Sequence, residues 1–179
     1  MDHFEAVIHT LLESEGYWVR SSYRVALSKQ QKRETGKPSI PRPEIDLLAL
    51  HVKRNEVLAL EVKSYLDSPG VKLADLSKEH DTAEGRYKLF TSRKYRLIVL
   101  GSLQQQLLTA GAINEATTIK LGLAAGKVYQ GRSEALRTHL EAAGCFFWSP
   151  EDIRSKVAAL ADGPYENNAT TITAKVLLR

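Results

Sequence analysis

Cysteine is almost absent from this chain. The 179 residues include one cysteine, Cys145, which excludes an intrachain disulfide and any zinc site built from several cysteines. Cys145 opens an apolar run with Phe146, Phe147 and Trp148, where a thiol is more often a packed core group than a nucleophile. We therefore expect a buried structural thiol and a protein of the reducing cytoplasm.

Long hydrophobic runs are also absent. No apolar stretch approaches the roughly 20 residues that a helix needs to span a bilayer. The first residues include Asp2, Glu5 and His9, where a secretion signal would carry basic and then apolar residues. We therefore expect no membrane partner and no export by the usual route.

Several common signatures of chemistry are missing as well. The chain has no Walker-type phosphate loop and no dinucleotide fingerprint. Its five histidines show no spacing typical of metal ligands, which favours surface or packing roles for His3, His9, His51, His80 and His139. These absences disfavour nucleotide-driven, dinucleotide-dependent and histidine–metal functions.

The composition is that of an ordinary globular protein. Hydrophobic residues make up 43% of the chain and charged residues 26%, which is enough apolar material for a core without disulfides. A length of 179 residues suits one compact domain. We therefore expect residues 1–179 to form a single domain.

Positive charge is concentrated in two segments. The net charge is +4 and the pI about 9.1. Residues 28–43 contain one acid against Lys29, Lys32, Arg33, Lys37 and Arg42, and residues 86–96 contain no acid but Arg86, Lys88, Arg93, Lys94 and Arg96. Such segments suit either a solvated surface or contacts to a nucleic-acid backbone. The glycine and prolines of residues 28–43 predict a long mobile loop there.

Helical and strand patterns alternate along the chain, which predicts an α/β fold with a mixed sheet. Apolar spacing and capping signals predict helices at residues 3–15, 73–90, 103–110, 133–143 and 150–161. Apolar or alternating runs predict strands at residues 17–20, 23–27, 45–52, 57–62, 95–100, 119–128 and 145–148. Residues 169–178 fit either type of element.

The predicted hairpin of residues 45–62 carries three charged groups at one end. Asp46 interrupts the first apolar run, and Glu61 and Lys63 close the second. Period-two alternation puts Glu61 and Lys63 on one face of their strand. With the turn centred near residues 54 and 55, Asp46 lies opposite about residue 63. Two carboxylates and an ammonium should therefore converge there.

This combination has a chemical interpretation. Two neighbouring carboxylates repel each other, and a divalent cation relieves that repulsion. Their hard oxygen ligands suit Mg²⁺ or Mn²⁺. Such a metal can bind a phosphodiester oxygen and activate water, while a lysine orients the water or stabilises developing charge. The alternative is a salt-bridge network in which Lys63 bridges two acids.

The same residues resemble a known signature. Pro43-Glu44-Ile45-Asp46 followed by Glu61-Val62-Lys63 resembles the motif of the PD-(D/E)XK nuclease superfamily, which includes many restriction endonucleases and the archaeal Holliday-junction resolvases. The apolar run 57–60, Ser64 and an opening helix with Glu5 before Gly16 resemble the resolvase version. The resemblance covers about residues 3–65.

The resemblance implies a restriction endonuclease-like core, a central mixed β-sheet flanked by helices. Its motifs would lie within residues 3–101, with residues 102–179 as a C-terminal extension. By resemblance, Mg²⁺ or Mn²⁺ would be held by Asp46, Glu61 and the Val62 carbonyl. Lys63 would position or help to deprotonate the attacking water, Glu5 would support the metal, and Ser64 could touch phosphate.

The chain also departs from the family pattern. Glu44 lies two residues before Asp46 and could share or replace its role, and segment 28–43 is longer and more basic than in the resolvases. No Gln-x-x-x-Tyr element is evident in residues 73–90. We expect a DNA endonuclease, for which a homodimer would suit the cutting of both strands. The alternative is a catalytically inactive nucleic-acid-binding or interaction module on the same fold.

Overall fold

A five-stranded mixed sheet organises the fold in the computed structural model, which describes residues 2–179. The strands lie in chain order: β1 (Trp18–Arg24), β2 (Glu44–His51), β3 (Glu56–Lys63), β4 (Thr118–Ala125) and β5 (Phe146–Trp148). The first three strands are antiparallel, and β4 and β5 continue the sheet parallel to β3. The predicted α/β class with a mixed sheet is confirmed, and residues 102–179 supply two of its strands.

Eight α-helices accompany the sheet within residues 2–179, besides a short 3-10 helix at Tyr129–Gly131. They are α1 (His3–Ser14), α2 (Lys29–Glu34), α3 (Leu73–Leu76), α4 (Lys88–Thr91), α5 (Arg93–Thr109), α6 (Ser133–Ala142), α7 (Pro150–Asp162) and α8 (Ala169–Leu178). Reciprocal capping boxes begin three of them, at Asp2, Ser28 and Ser149. None of the helices within residues 2–179 combines the length and apolar character that crossing a membrane would require.

The two faces of the sheet are covered by different helices. Leu58, Leu60 and Val62 of β3 pack in one core cluster with residues of α1 and α7. Val57 and Ala59 pack in another with residues of α5. Because side chains alternate along a strand, Glu61 and Lys63 belong to the α5 side. The fold therefore presents the end of the hairpin toward α4 and α5.

The region that follows the hairpin differs most from the sequence-based expectation. The helix predicted for residues 73–90 is wrong, since only its two ends are helical and Gly85 between them has φ +71°. The strand predicted for residues 95–100 is also wrong, since it belongs to α5, which also takes in most of the helix predicted at 103–110. A short buried apolar run does not distinguish strand from helix by periodicity. The fourfold spacing of buried Tyr95, Val99, Leu103 and Leu107 is the helical signal.

Segment 28–43 is more ordered than the predicted mobile loop. Its first part forms α2, whose Ser28 cap accepts a hydrogen bond from the Gln31 amide. The Gln31 side chain donates to Ser102 of α5 at 2.8 Å, and Ile40 is buried in the core. The loop prediction is therefore wrong for Lys29–Glu34. The missed signal was the capping pair of Ser28 and Gln31 three residues later.

Candidate active site

Asp46, Glu61 and Lys63 meet at the end of the hairpin, as predicted. Leu47 pairs with Leu60, and this register places Asp46 opposite Glu61 rather than residue 63. Beyond that pair the Asp46 carboxylate accepts the Val62 N–H at 2.8 Å. The Lys63 Nζ atom lies 3.3 Å from Asp46 Oδ2 and 3.0 Å from Glu61 Oε2. One ammonium group thus forms ion pairs with two carboxylates from neighbouring strands.

The electrostatics of this cluster leave Glu61 under-compensated. Burial is the main cause that raises the pKa of Glu61, and the nearby Asp46 charge raises it further, while Lys63 acts in the opposite direction. Burial would lower the pKa of Lys63, but the two carboxylates outweigh it and raise that pKa instead. Lys63 therefore remains an ammonium, and Glu61 is a carboxyl group that resists ionisation.

Two residues from the α4–α5 region border the cluster. The positive charge of Lys88 lowers the pKa of Glu61, and the Lys88 Nζ atom lies 5.5 Å from the centre of the Tyr95 ring. Burial and the charge of Glu61 raise the pKa of Tyr95 to about 12. The Tyr95 hydroxyl is buried without a hydrogen-bond partner in residues 2–179. Sequence reasoning missed Tyr95 because it assigned this segment to a strand.

The donor set of the cluster fits a hard divalent cation. Mg²⁺ is usually bound by one or two carboxylates, with water and substrate phosphate completing its coordination. Asp46 and Glu61 supply two carboxylates, and their mutual repulsion favours a shared cation. The described part of the chain contains no group of three or more His, Cys, Asp or Glu residues placed to hold a metal. A metal here would thus depend on backbone, water or substrate oxygens as well.

The contacts described for Glu5 lie at the start of α1. It lies in the first turn of α1, where its carboxylate accepts the Asp2 N–H at 3.1 Å and its own N–H donates to Asp2 at 2.7 Å. Helix α1 packs on the face of β3 that bears Val62, opposite the face of Glu61 and Lys63. The support of a metal by Glu5 stays a prediction.

Glu44 and Ser64 flank the cluster without entering it. The Glu44 carboxylate lies 3.1 Å from Arg24 Nε of β1. Hydrogen bonds from Arg24 and Ser22 lower the pKa of Glu44, so it is already compensated by its own strand neighbours. Ser64 follows β3, and its carbonyl lies so close to Gly126 that a Cβ atom there would approach it to 2.5 Å. A phosphate contact by Ser64 stays a prediction.

Tyr65 continues the polar rim beyond β3. Its backbone adopts φ +46°, which is uncommon for a residue other than glycine. The Tyr65 hydroxyl lies 3.4 Å from both the Tyr87 hydroxyl and the Arg86 guanidinium. Burial would raise the pKa of Tyr65, but hydrogen bonds with Tyr87 and Arg86 outweigh it and lower that pKa. The contact with Tyr65 therefore places Arg86 at the border of the site.

The two basic segments of the sequence meet in space. A side-chain carbon placed on Gly36 would lie 3.1 Å from Thr82 Cγ2, and Ile40 shares a core cluster with Ala83 and Leu89. None of the nine predicted nucleic-acid-binding residues forms an ion pair with a described carboxylate: Lys29, Lys32, Arg33, Lys37, Arg42, Arg86, Lys88, Arg93 and Lys94. Lys88 connects this basic surface to the carboxylate cluster.

Cys145 takes no part in the site. It immediately precedes β5, where it is half-buried rather than fully buried as expected. Burial raises the pKa of its thiol, which opposes thiolate formation. A packing role remains its simplest interpretation.

Comparison of the chain with protein-family models, with curated proteins and with solved structures found no match. The resemblance to the PD-(D/E)XK superfamily therefore rests on the motif residues alone.

Proposed function

We propose that this chain is a metal-dependent nuclease with a restriction endonuclease-like core, in which Asp46, Glu61 and Lys63 form the active site. The observation that carries the proposal is the convergence of two carboxylates from neighbouring strands on one lysine, at 3.3 and 3.0 Å. Both acids interrupt apolar strands, where an uncompensated charge is costly. Two carboxylates that share one lysine at such a position suit cation binding better than packing.

Asp46 and Glu61 would hold Mg²⁺ or Mn²⁺, with the Val62 carbonyl as a further oxygen ligand. When bound, the metal polarises a phosphodiester oxygen and lowers the pKa of a coordinated water. Since the two carboxylates raise its pKa, Lys63 is a donor rather than a base in the geometry described. It would orient the attacking water and stabilise the negative charge that develops on the phosphate.

The basic surface supports a nucleic-acid substrate. Unpaired lysines and arginines neutralise backbone phosphates with little regard to sequence, and nine of them lie in the two basic segments, of which Lys88 borders the carboxylate cluster. DNA is the substrate that we propose, in keeping with the resemblance.

The experiment is a cleavage panel. Purified protein is incubated with linear, circular, branched and single-stranded DNA and with RNA, in the presence of Mg²⁺, Mn²⁺ or EDTA. We expect metal-dependent cleavage of at least one DNA form, slowed by about 100-fold or more in Lys63→Ala. Lys53→Ala, an exposed change in the hairpin turn, is the matched control and should cleave normally. Absence of cleavage with either metal would refute the proposal.

A second candidate is a catalytically inactive nucleic-acid-binding module. It is favoured by the position of Lys63, which already partly neutralises both acids. In that case the nine basic residues would carry the function. Binding of DNA without cleavage, unchanged by Asp46→Asn, would support this candidate over the nuclease.

A further inference from the structure

A cavity lies between the two basic segments. Its volume is about 570 Å³, within the range of small-molecule binding pockets. One wall is formed by residues 36–41, and the other by Ala83, Gly85 and Lys88. The close approach of Gly36 to Thr82 joins the walls. The segment that the sequence predicted as a loop thus forms one side of a cavity.

The charge of this cavity has one sign. Lys37 and Lys88 contribute to its lining, which includes no acidic residue, and neither lysine is paired with a described carboxylate. A cavity of similar volume beside β5 differs, since there Arg137 is paired with Asp152 at 2.6 Å and Glu141 also lines it. Two uncompensated lysines in an acid-free cavity favour an anionic ligand.

Part of the remaining lining is apolar. Exposed Pro38 and Pro41 face the cavity beside Ser39 and two glycines, with the largely buried Ile40 and Ala83 behind them. Two exposed proline rings beside a pair of cations suit a nucleotide, whose base or sugar contacts the prolines and whose phosphate contacts the cations. A cavity of this size admits a nucleotide of one strand but not a base pair with both of its backbones.

The cavity adjoins the carboxylate cluster. Lys88 is shared between them, because it lines the cavity and its charge acts on Glu61. The aromatic ring beneath its ammonium belongs to Tyr95, which also senses the charge of Glu61. A nucleotide in the cavity would therefore be a close neighbour of a phosphate held at Asp46 and Glu61.

We propose that this cavity binds one unpaired nucleotide, with its phosphate between Lys37 and Lys88, next to the phosphodiester that is cut. The inference rests on the proposed nuclease function and narrows its substrate to nucleic acid with an unpaired strand at the cleavage site. It assigns segment 28–43 to substrate selection rather than to general attraction of DNA.

The test is binding by the full chain without metal, so that no cleavage occurs. The probes are single-stranded hexathymidylate and a DNA hairpin of equal charge, titrated into ¹⁵N-labelled protein in EDTA. We expect the amide signals of Gly36 and Gly85 to shift with the single strand and to shift less with the hairpin. Unchanged signals at both glycines, or tighter binding of the hairpin, would overturn the inference.

Substitution of the lysines tests the phosphate contact. Lys37→Gln and Lys88→Gln should each weaken hexathymidylate binding and make the slope of log affinity against log salt shallower by about 0.7. Lys53→Gln removes the same charge at the far turn and should leave the slope unchanged. Lys37 is exposed, so Lys37→Gln keeps the test decisive if Lys88→Gln impairs folding. Equal slopes for Lys37→Gln and wild type would contradict the proposal.

The outcome is separable from that of the proposed function. If the wild type cuts nothing but hexathymidylate shifts both glycines through Lys37, the nucleotide site stands and the nuclease proposal fails. If the wild type cuts DNA while Lys37→Gln leaves hexathymidylate binding and the preference for single strands intact, the nuclease stands and this inference fails.

Discussion

The two ends of the β2–β3 hairpin each bury a glutamate of β3, but in opposite electrostatic situations. Glu56 lies at the turn, with a side chain 12% exposed, and Glu61 lies at the open end, with a side chain 14% exposed. Glu56 accepts the Tyr17 hydroxyl at 2.8 Å and lies 3.0 Å from Lys120 Nζ. Burial would raise the pKa of Glu56, but these hydrogen bonds outweigh it and lower that pKa.

Glu61 is less fully compensated. It shares Lys63 with Asp46, and burial together with the Asp46 charge raises its pKa. At the turn end, the charge of Glu56 has both a hydrogen-bond partner and an ion-pair partner. Burial and the contact with Glu56 raise the pKa of Tyr17 to about 12. At the open end two carboxylates share one lysine. A buried glutamate is present at both ends of the hairpin. The candidate site differs because its one lysine is shared by two carboxylates.

The largest expected effect is a difference in cleavage rate between substitutions of Lys63 and of Lys120. Lys63→Ala should lower the rate of metal-dependent cleavage by about 100-fold or more, as loss of a preorganised charge-stabilising donor does. Lys120→Ala should leave the rate unchanged at temperatures where the protein is folded, because Lys120 serves only Glu56. Single-turnover cleavage measures both. Equal losses of rate in Lys63→Ala and Lys120→Ala would show that the open end of the hairpin is not the active site.

A second difference concerns stability. Glu56→Gln should lower the free energy of unfolding by about 1–3 kcal/mol, because it weakens the hydrogen bonds of Tyr17 and Lys120 to a buried acceptor. The loss is moderated because the Lys120 side chain is 49% exposed. Glu61→Gln should cost less than about 1 kcal/mol or stabilise, since it relieves repulsion with Asp46. Urea denaturation in EDTA compares them, and a larger loss for Glu61→Gln would be the contrary result.

Metal binding should stabilise the folded protein through Asp46 and Glu61 at the open end of the hairpin, and not through Glu56 at the turn. At ten times its dissociation constant a ligand of the native state adds about 1.4 kcal/mol. Mn²⁺ should therefore raise the melting temperature of the wild type and of Glu56→Gln. Asp46→Asn should abolish the rise. Thermal unfolding with and without Mn²⁺ measures this, and a rise retained in Asp46→Asn would place the metal elsewhere.

The smallest effect is a divergence with pH. The lowered pKa of Glu56 gives stability that is present above pH 4.5, its ordinary pKa, and lost as the pH falls through the folded-state value. The raised pKa of Glu61 gives stability that is full below pH 4.5 and lost as the pH rises through the folded-state value.

Substitution should therefore act in opposite directions as the pH rises. Relative to the wild type in EDTA, Glu56→Gln should become progressively less stable from acid to neutral pH. Glu61→Gln should become progressively more stable over the same range. Melting temperatures across the range test this, and parallel curves for the two variants would show that the two glutamates are equivalent.

Local signals predicted much of the framework. The apolar stripe and Gly16 predicted α1, and alternation around a polar turn predicted the β2–β3 hairpin, with Asp46, Glu61 and Lys63 at one end. Ser149 and Pro150 predicted the start of α7. Each of these elements is determined by residues close together in sequence, so the sequence alone sufficed.

Other parts depend on tertiary contacts. The apolar run in α5 is compatible with strand or helix, and its burial against the sheet decides between them. In the structure Asp46 lies opposite Glu61 and not opposite residue 63. The sequence-based register differs by two residues because it assumed that the turn is centred near residues 54 and 55. The meeting of segment 28–43 with residues 82–88, and with it the position of Tyr95 and Lys88 beside Glu61, follows from packing between distant segments. No local pattern encodes that juxtaposition.

The central claim is tested most directly by Mn²⁺-dependent cleavage measured for the wild type, Glu61→Gln and Glu56→Gln side by side, below the melting temperature of each. We predict that the wild type and Glu56→Gln cleave at similar rates and that Glu61→Gln does not cleave. Cleavage by Glu61→Gln at the wild-type rate, or no cleavage by the wild type, would contradict an active site at the open end of the hairpin.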